Sequence, residues 1–218
     1  MTVQHLLSPA PALDAADTVM DALDRFDEEG LATLPVVDED GELAAVVSEA
    51  ALLDHPDASV RLGTLGLYGA PLSVTPDTHV FDAAQILREH DLGALPVAAE
   101  DGSYVGLVVR RDVFGQLAHM LATEENGAIV VTEVGRHDVS LAQMAHLVEG
   151  SGVRILSIST EDDINTGHVR ITLKLNVADT ARVRHLLSHH GIKVVAVFDE
   201  AESDLEARAA EFIRYLEV

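Results

Sequence analysis

The chain has 218 residues, 48% of them hydrophobic, no cysteine and a formal net charge of −23. Without cysteine there is no disulfide framework and no thiolate metal site, and no apolar run approaches the ~20 residues that span a bilayer. Asp and Glu are spread over the whole length and Lys174 and Lys193 are the only lysines, which argues against nucleic acids and anionic membranes as partners, since both need basic surfaces.

The first feature met along the chain is a duplication. A shift of 61 positions, the gap between Pro35 and Pro96, lays residues 19–53 on residues 80–114 without a break. Val19, Ala22, Leu23 and Phe26 fall at i, i+3, i+4 and i+7, and Val80, Ala83, Ala84 and Leu87 repeat the spacing, so each copy opens with an amphipathic helix. Asp77 or Thr78 is the expected cap of the second of these helices. A short apolar strand with a proline follows in each copy (Leu34-Pro35-Val36-Val37 and Leu95-Pro96-Val97). Proline lacks the ladder donor, which predicts edge positions with exposed backbone. An acidic-Asp-Gly turn leads into a second strand, residues 43–47 or 104–109, and then another helix. A match that holds through helix, turn and strand alike means that one structural unit was copied.

These features, in this order and twice over, resemble the cystathionine-β-synthase (CBS) domain, which occurs in pairs that form one nucleotide-sensing (Bateman) module. The resemblance covers roughly residues 1–123 and implies regulatory binding of an adenine nucleotide (AMP, ADP, ATP or S-adenosylmethionine), with no tightly bound cofactor and no catalysis. In the family, a hydroxyl residue ending the second strand and an aspartate three positions later contact phosphate and ribose. Copy one has Ser48 but Ala51, and copy two has Val109 but Asp112. A carboxylate can accept hydrogen bonds from both ribose hydroxyls and alanine cannot, so the second copy is the better candidate.

Arg110 and Arg111 open the helix that carries Asp112, where they would add to the positive end of the helix dipole as a phosphate site, or pair with neighbouring acids. Thr75, in the approach Thr75-Pro76-Asp77-Thr78, lies where the family lines its adenine pocket. Leu95 and Val97 are either apolar walls of that pocket or ordinary core.

Beyond Thr123 the pattern changes to strand (128–134), helix capped by Ser140, strand (153–159), turn (162–167), strand (168–177), helix capped by Asp179 and stopped at Gly191, and strand (194–198). That βαββαβ order is a ferredoxin-like split sandwich. It resembles an ACT domain, which implies dimerisation and an amino-acid ligand, although Val139 stands where such sites place a glycine. The whole is therefore read as α+β: a CBS pair at 1–123 (repeats 1–60 and 61–123), an ACT-like domain at 124–199 and a C-terminal helix at 200–218. A CBS pair followed by an ACT-like domain resembles the acetoin-utilisation protein B type of bacterial protein. Leu205, Ala209, Phe212, Ile213 and Leu216 give the last helix one apolar stripe, to be packed on the open sheet face or on a partner.

His185, His189 and His190 at a helix end favour the dipole over a metal, and residues 162–167 lack the spaced ligands of a calcium loop. No phosphate-binding Gly-rich loop, nucleophile elbow or His-Glu-x-x-His helix is found, so the expectation is a non-enzyme. The start, Met1-Thr2-Val3-Gln4-His5, lacks the basic and apolar segments of a signal peptide, and the expected location is cytoplasmic. Self-repulsion on the scale of the net charge points to a salt-rich, halophile-like source. The expected assembly is a homodimer that relays ligand binding to a protein partner.

Overall fold

The structure, a computed structural model, describes residues 1–8, 12–66, 71–136, 140–163 and 166–198. Two compact units divide the chain, Met1–Leu117 and Ala118–Val218. The expected C-terminal helix at 200–218 and Val139 lie outside the described residues.

In the first unit, a 3-10 turn (Val3–Leu6) leads into β1 (Leu7–Ser8), followed by β2 (Leu13–Asp14), α1 (Val19–Glu29), β3 (Thr33–Val37), β4 (Leu43–Ser48) and α2 (Glu49–Leu53). After a second 3-10 turn (Leu62–Thr64) come α3 (Val80–Glu89), β5 (Ala94–Ala98), β6 (Tyr104–Val109) and α4 (Arg110–Met120). One sheet has the order β2-β3-β4 and the other β1-β6-β5. α1 starts where Thr18 and Asp21 close a reciprocal cap: the Thr18 hydroxyl accepts from the Asp21 amide and the Asp21 carboxylate accepts from the Thr18 amide. It ends at Gly30, whose φ of 63° is the left-handed turn glycine adopts at least cost. Its buried stripe is Val19, Ala22 and Phe26.

The 61-residue shift survives pair by pair in space. Leu34 faces Val47 as Leu95 faces Val108, and Pro35 faces Val46 as Pro96 faces Leu107. Even the register irregularity recurs, between Val36 and Val37 and again between Val97 and Ala98. Leu13 pairs in parallel with Val36, and Val74 with Val97. The two turn segments meet through Glu42 and Ser103, themselves 61 apart, with the Leu43 amide on the Gly102 carbonyl and the Tyr104 amide on the Gly41 carbonyl, both at 3.0 Å. Such reciprocal bonds are what a local two-fold relation between the copies produces.

The copies also exchange segments. Val3 and Met1 bond to the backbone of Thr78 and Val80 ahead of α3, while Leu62 and Val60 make the same bonds to Asp17 and Val19 ahead of α1. Val3, Leu6 and Leu7 accordingly pack in the second copy's core with Val80, Leu87, Leu95 and Val108, and Leu62 and Leu65 pack in the first with Val19, Phe26 and Leu34. β1 approaches β6 so closely that a Cβ at Gly106 would lie 3.0 Å from the Ser8 carbonyl oxygen, which explains glycine there. The strand prolines are buried, contrary to the expectation of exposed backbone. β5 is an edge strand except where Val74 bridges it, and Pro35 lies just before β2 begins to pair with β3, so each missing N–H falls outside a ladder.

The second unit contains β7 (Ala128–Gly135), α5 (Leu141–Gly150), β8 (Ile155–Asp163), β9 (His168–Leu175), α6 (Ala181–His189) and β10 (Lys193–Phe198). The four strands form an antiparallel sheet of order β10-β7-β9-β8, the ferredoxin-like arrangement that the βαββαβ order predicts. β9 alternates, burying Val169, Ile171, Leu173 and Leu175 against Met144, Val148, Val183 and Leu187 of the helices. Ser140 caps α5 through the Gln143 amide, and the Asp179 carboxylate takes the Ala181 amide at 2.8 Å. Gly127 enters β7 against β9, and any Cβ there would collide with the Leu175 carbonyl.

Candidate functional site

β6 runs into α4 without a loop, the Arg110 amide bonding to the Gly93 carbonyl at 2.8 Å. This puts Arg110, Arg111 and Asp112 in one helical turn directly beyond the strand. Thr75 follows Val74 on the opposite flank of β5, with an exposed side chain. β5 is thus bracketed by the approach segment carrying Thr75 on one side and by the β6–α4 junction carrying Asp112 on the other.

The charged candidates divide. Arg110 turns away from an anion site: its Nη2 donates to the Leu87 carbonyl at 3.1 Å and to Asp91 Oδ1 at 3.0 Å. Leu87 lies in the last turn of α3 and its carbonyl already takes the Leu92 amide at 2.9 Å, so this guanidinium is a second donor there and meets the negative end of that helix dipole. Arg111 is exposed, with Nε 3.4 Å from Asp112 Oδ1, and the Asp112 side chain retains 36% of its surface. Arg111 and Asp112 are therefore together and accessible.

The remaining candidates are engaged elsewhere. Leu95 and Val97 are wholly enclosed among Val74, Val80, Ala83 and Leu87, which makes them core and gives them no ligand-facing surface. Ser48 ends β4 in the other sheet, opposite Thr33, and its hydroxyl accepts the Ala51 amide at 3.3 Å as the cap of α2. The Thr75 amide donates to the Thr78 hydroxyl, leaving His79, not Asp77 or Thr78, to cap α3 through Nδ1 on the Phe81 amide. Sequence reasoning missed this cap because histidine is an uncommon N-cap, serving only when the ring is neutral at the accepting nitrogen. At the turn before β6, the Ser103 hydroxyl and amide hold the Asp101 carboxyl below its ordinary range. Burial, with the Glu29 carboxylate second, pushes the Tyr104 phenol up, so Tyr104 stays neutral where it packs on the first copy's core.

Two cavities matter. One, of about 240 Å³, lies between α3 and α4 and is lined by Ala84, Leu87, Arg88, Arg110, Phe114 and Leu117 among others. Arg110 is the only one of the seven candidates in its lining. The other, of about 340 Å³, lies in the second unit at the start of α5, with Ser140, Gln143, His168, His190 and the Glu133–Lys193 ion pair around it. The Lys193 hydrogen bond holds the Glu133 carboxyl low. His190 Nδ1 is 2.9 Å from the Leu186 carbonyl, and among the described residues no three potential ligands form a metal cluster.

The CBS domain family model matches residues 3–57 and again 70–119, the two copies already set out. The first unit is a tandem CBS domain pair. Among curated proteins the chain is similar to the A-adding tRNA nucleotidyltransferase of Aquifex aeolicus, with 31% identity over 118 residues. That match takes in 52% of this chain but only 14% of the tRNA enzyme. It is also similar to a CBS domain-containing protein of Dictyostelium discoideum, 28% identical over 134 residues, covering 55% of this chain and 92% of that protein. A solved CBS domain pair/ACT domain protein of Thermotoga maritima overlaps with a TM-score of 0.51 at 24% identity, over 56% of this chain and 99% of the other, and so supports the fold alone. No helix among the described residues is long and apolar enough to cross a membrane.

Proposed function

We propose that the CBS pair is a regulatory sensor for an adenine nucleotide, held beside β5 in the second copy, and that the chain is not an enzyme. The carrying observation is that Asp112 is accessible at the β6–α4 junction while Thr75 flanks the same strand on its other side. Asp112 would accept from the ribose hydroxyls and Arg111 would meet phosphate. The family resemblance supplies the ligand class. Leu95 and Val97 support the strand from within, and Arg110 fixes α4 to α3. The protein acts in the cytoplasm as a homodimer and relays binding to a protein partner. The order of its domains fits the acetoin-utilisation protein B type, with the second unit an ACT-like domain. The net charge of −23 fits a salt-rich interior, so the ligand screen belongs in high salt.

A ligand at a hundred times its dissociation constant adds about 2.7 kcal/mol to stability. Thermal unfolding with AMP, ADP, ATP or S-adenosylmethionine should show that gain in the wild type and lose it in Asp112→Ala. A shift that persists in Asp112→Ala rejects the site, and no shift with any of the four rejects the nucleotide.

A second reading, an amino-acid sensor in the second unit, is favoured by the cavity at the start of α5, whose volume and mixed charges suit a small zwitterion. Common amino acids in the same screen test it, with Gln143→Ala as the variant that should weaken any response. A third reading, a module that only assembles, is favoured by Ser48 and Arg110, both committed to structural bonds.

A further inference from the structure

Positive charge gathers in one place on the second unit. Residues 181–190 hold Arg182, Arg184, His185, His189 and His190 and no acid, in a chain whose formal net charge is −23. On a surface so rich in carboxylates a guanidinium ordinarily finds one, and Arg25, Arg88, Arg110, Arg111, Arg136 and Arg170 each stand within 4.0 Å of theirs. Among the described residues the side chains of Arg182, Arg184, His146 and His185 make neither an ion pair nor a hydrogen bond. Arg182, His185 and Leu186 share one face of α6, at i, i+3 and i+4, and α5 sets His146 and Leu147 against it. With Ser151 at the end of α5 they line a cavity of about 400 Å³. No carboxylate stands in its wall, whereas the two cavities described above contain Glu133 and Asp91 respectively. The acids nearest along the chain, Glu149 and Asp179, stay out of that wall, and the Asp179 carboxylate is taken by the Ala181 amide. At the carbonyl end of α5 the Ser151 hydroxyl and amide both donate to the Val148 carbonyl, which mutes the negative end of that helix.

We propose that this cavity binds a small organic anion carrying two acid groups, carboxylate or phosphate, on a short hydrocarbon. A guanidinium left without a carboxylate, beside two imidazoles in one recess, is a standing attraction for negative charge. Arg182 takes one acid group through its planar fork, which fits carboxylate and phosphate alike. The N–H groups of His146 and His185 donate to the other, and Leu147 and Leu186 cover the hydrocarbon between them. The volume lies within the ~300–1,000 Å³ of small-molecule sites. This site is separate from the cavity at the start of α5 and from the CBS cleft, and it stands whatever either of those binds.

Succinate, with two carboxylates, and 3-phosphoglycerate, with one carboxylate and one phosphate, are titrated into the full chain at fixed ionic strength, with succinamide as the uncharged control. Calorimetry gives the affinity and backbone amide shifts give the place. The expected result is saturable binding of the anions, not of succinamide, that moves the amides of residues 146–151 and 182–186. The tighter of the two anions shows which acid the site prefers. Arg182→Gln should weaken binding by about tenfold or more. Arg184→Gln makes the same change of charge two residues on, outside the cavity wall, and should leave the affinity within about twofold. Both side chains are exposed, so neither substitution disturbs the core. Equal losses at the two positions would make the effect a diffuse field of α6 and overturn the site, as would amide shifts confined to other parts of the chain. Failure of both anions to bind, or equal binding of succinamide, overturns the ligand class.

Discussion

Removing the Arg110 side chain separates its two readings. In the structure the guanidinium gives one hydrogen bond to the Leu87 carbonyl and one to Asp91, with 47% of the Arg110 side chain and 95% of the Asp91 side chain exposed. The Asp91 ion pair, so open to water, is worth ~0–1 kcal/mol. The bond to the Leu87 carbonyl, which keeps the Leu92 amide at 2.9 Å in any case, adds ~1 kcal/mol as one net hydrogen bond. Arg110→Ala should then cost about 1–2 kcal/mol, a fall of ~4–8 °C at about 4 °C per kcal/mol for a unit of this size. Asp91→Asn keeps a residue tolerant of the φ of 50° at that position and removes only the charge, so its cost should stay under ~1 kcal/mol. The assay is thermal unfolding with and without nucleotide, followed by circular dichroism. The structural role predicts a lower melting temperature and an undiminished ligand shift. If Arg110→Ala melts like the wild type but no longer responds to ligand, the guanidinium serves phosphate and the reasoning fails.

Other substitutions probe the core, a close approach and a cap. Leu95→Ala, at a fully enclosed site, should cost ~2–5 kcal/mol in urea unfolding, whereas a pocket wall would show its effect in ligand affinity instead. Gly127→Ala forces a methyl onto the Leu175 carbonyl and should destabilise the second unit by more than ~3 kcal/mol, read as lost protection of β7 and β9 amides in hydrogen exchange. The Asp21 carboxyl is held low by the Thr18 hydroxyl and then the Thr18 amide. A depressed folded value means that its stabilisation is complete above the ordinary carboxylate pKa and is lost as pH falls through the depressed one. Thr18→Ala should therefore flatten the acid limb of a stability–pH curve measured by urea midpoints, and an unchanged limb would assign the acid sensitivity to other groups.

The duplication was legible because every paired position, including the register irregularity after Val36 and Val97, kept its place in the copy. The second unit was legible because β9 and the α5 and α6 stripes follow clean two-fold and 3.6-fold periods. Periodicity says which face of an element is apolar but not what covers it. Hence the repeat boundary at residue 60, natural in the chain, cuts across an exchange in which residues 1–3 serve α3 and residues 60–62 serve α1. The same limit applies to side chains that reach far. Arg110 reads as an anion ligand from its helix-start position, yet its long guanidinium reaches a helix-end carbonyl 23 residues back, that of Leu87, which the Leu92 amide also bonds. Proline burial was missed because a ladder needs only that the N–H be absent from the paired side, which a covered edge provides as well as an open one.

One helix carries the relay that the proposed function needs. α4 presents Asp112 in its first turn and Phe114 and Leu117 beside the cavity between α3 and α4, so the proposed ligand site and that cavity share one 11-residue element. If α4 bears on the interface of the proposed homodimer, a ligand that favours one placement of α4 changes dimer affinity, and linkage requires the dimer to change ligand affinity by the same factor. Sedimentation at several nucleotide concentrations and nucleotide titration at several protein concentrations give the two factors independently. They should agree, differ from unity, and collapse to unity in Asp112→Ala. Equal dimer affinity with and without saturating nucleotide would mean that α4 does not move between the two states, and the signal would then have to leave the CBS pair by another element.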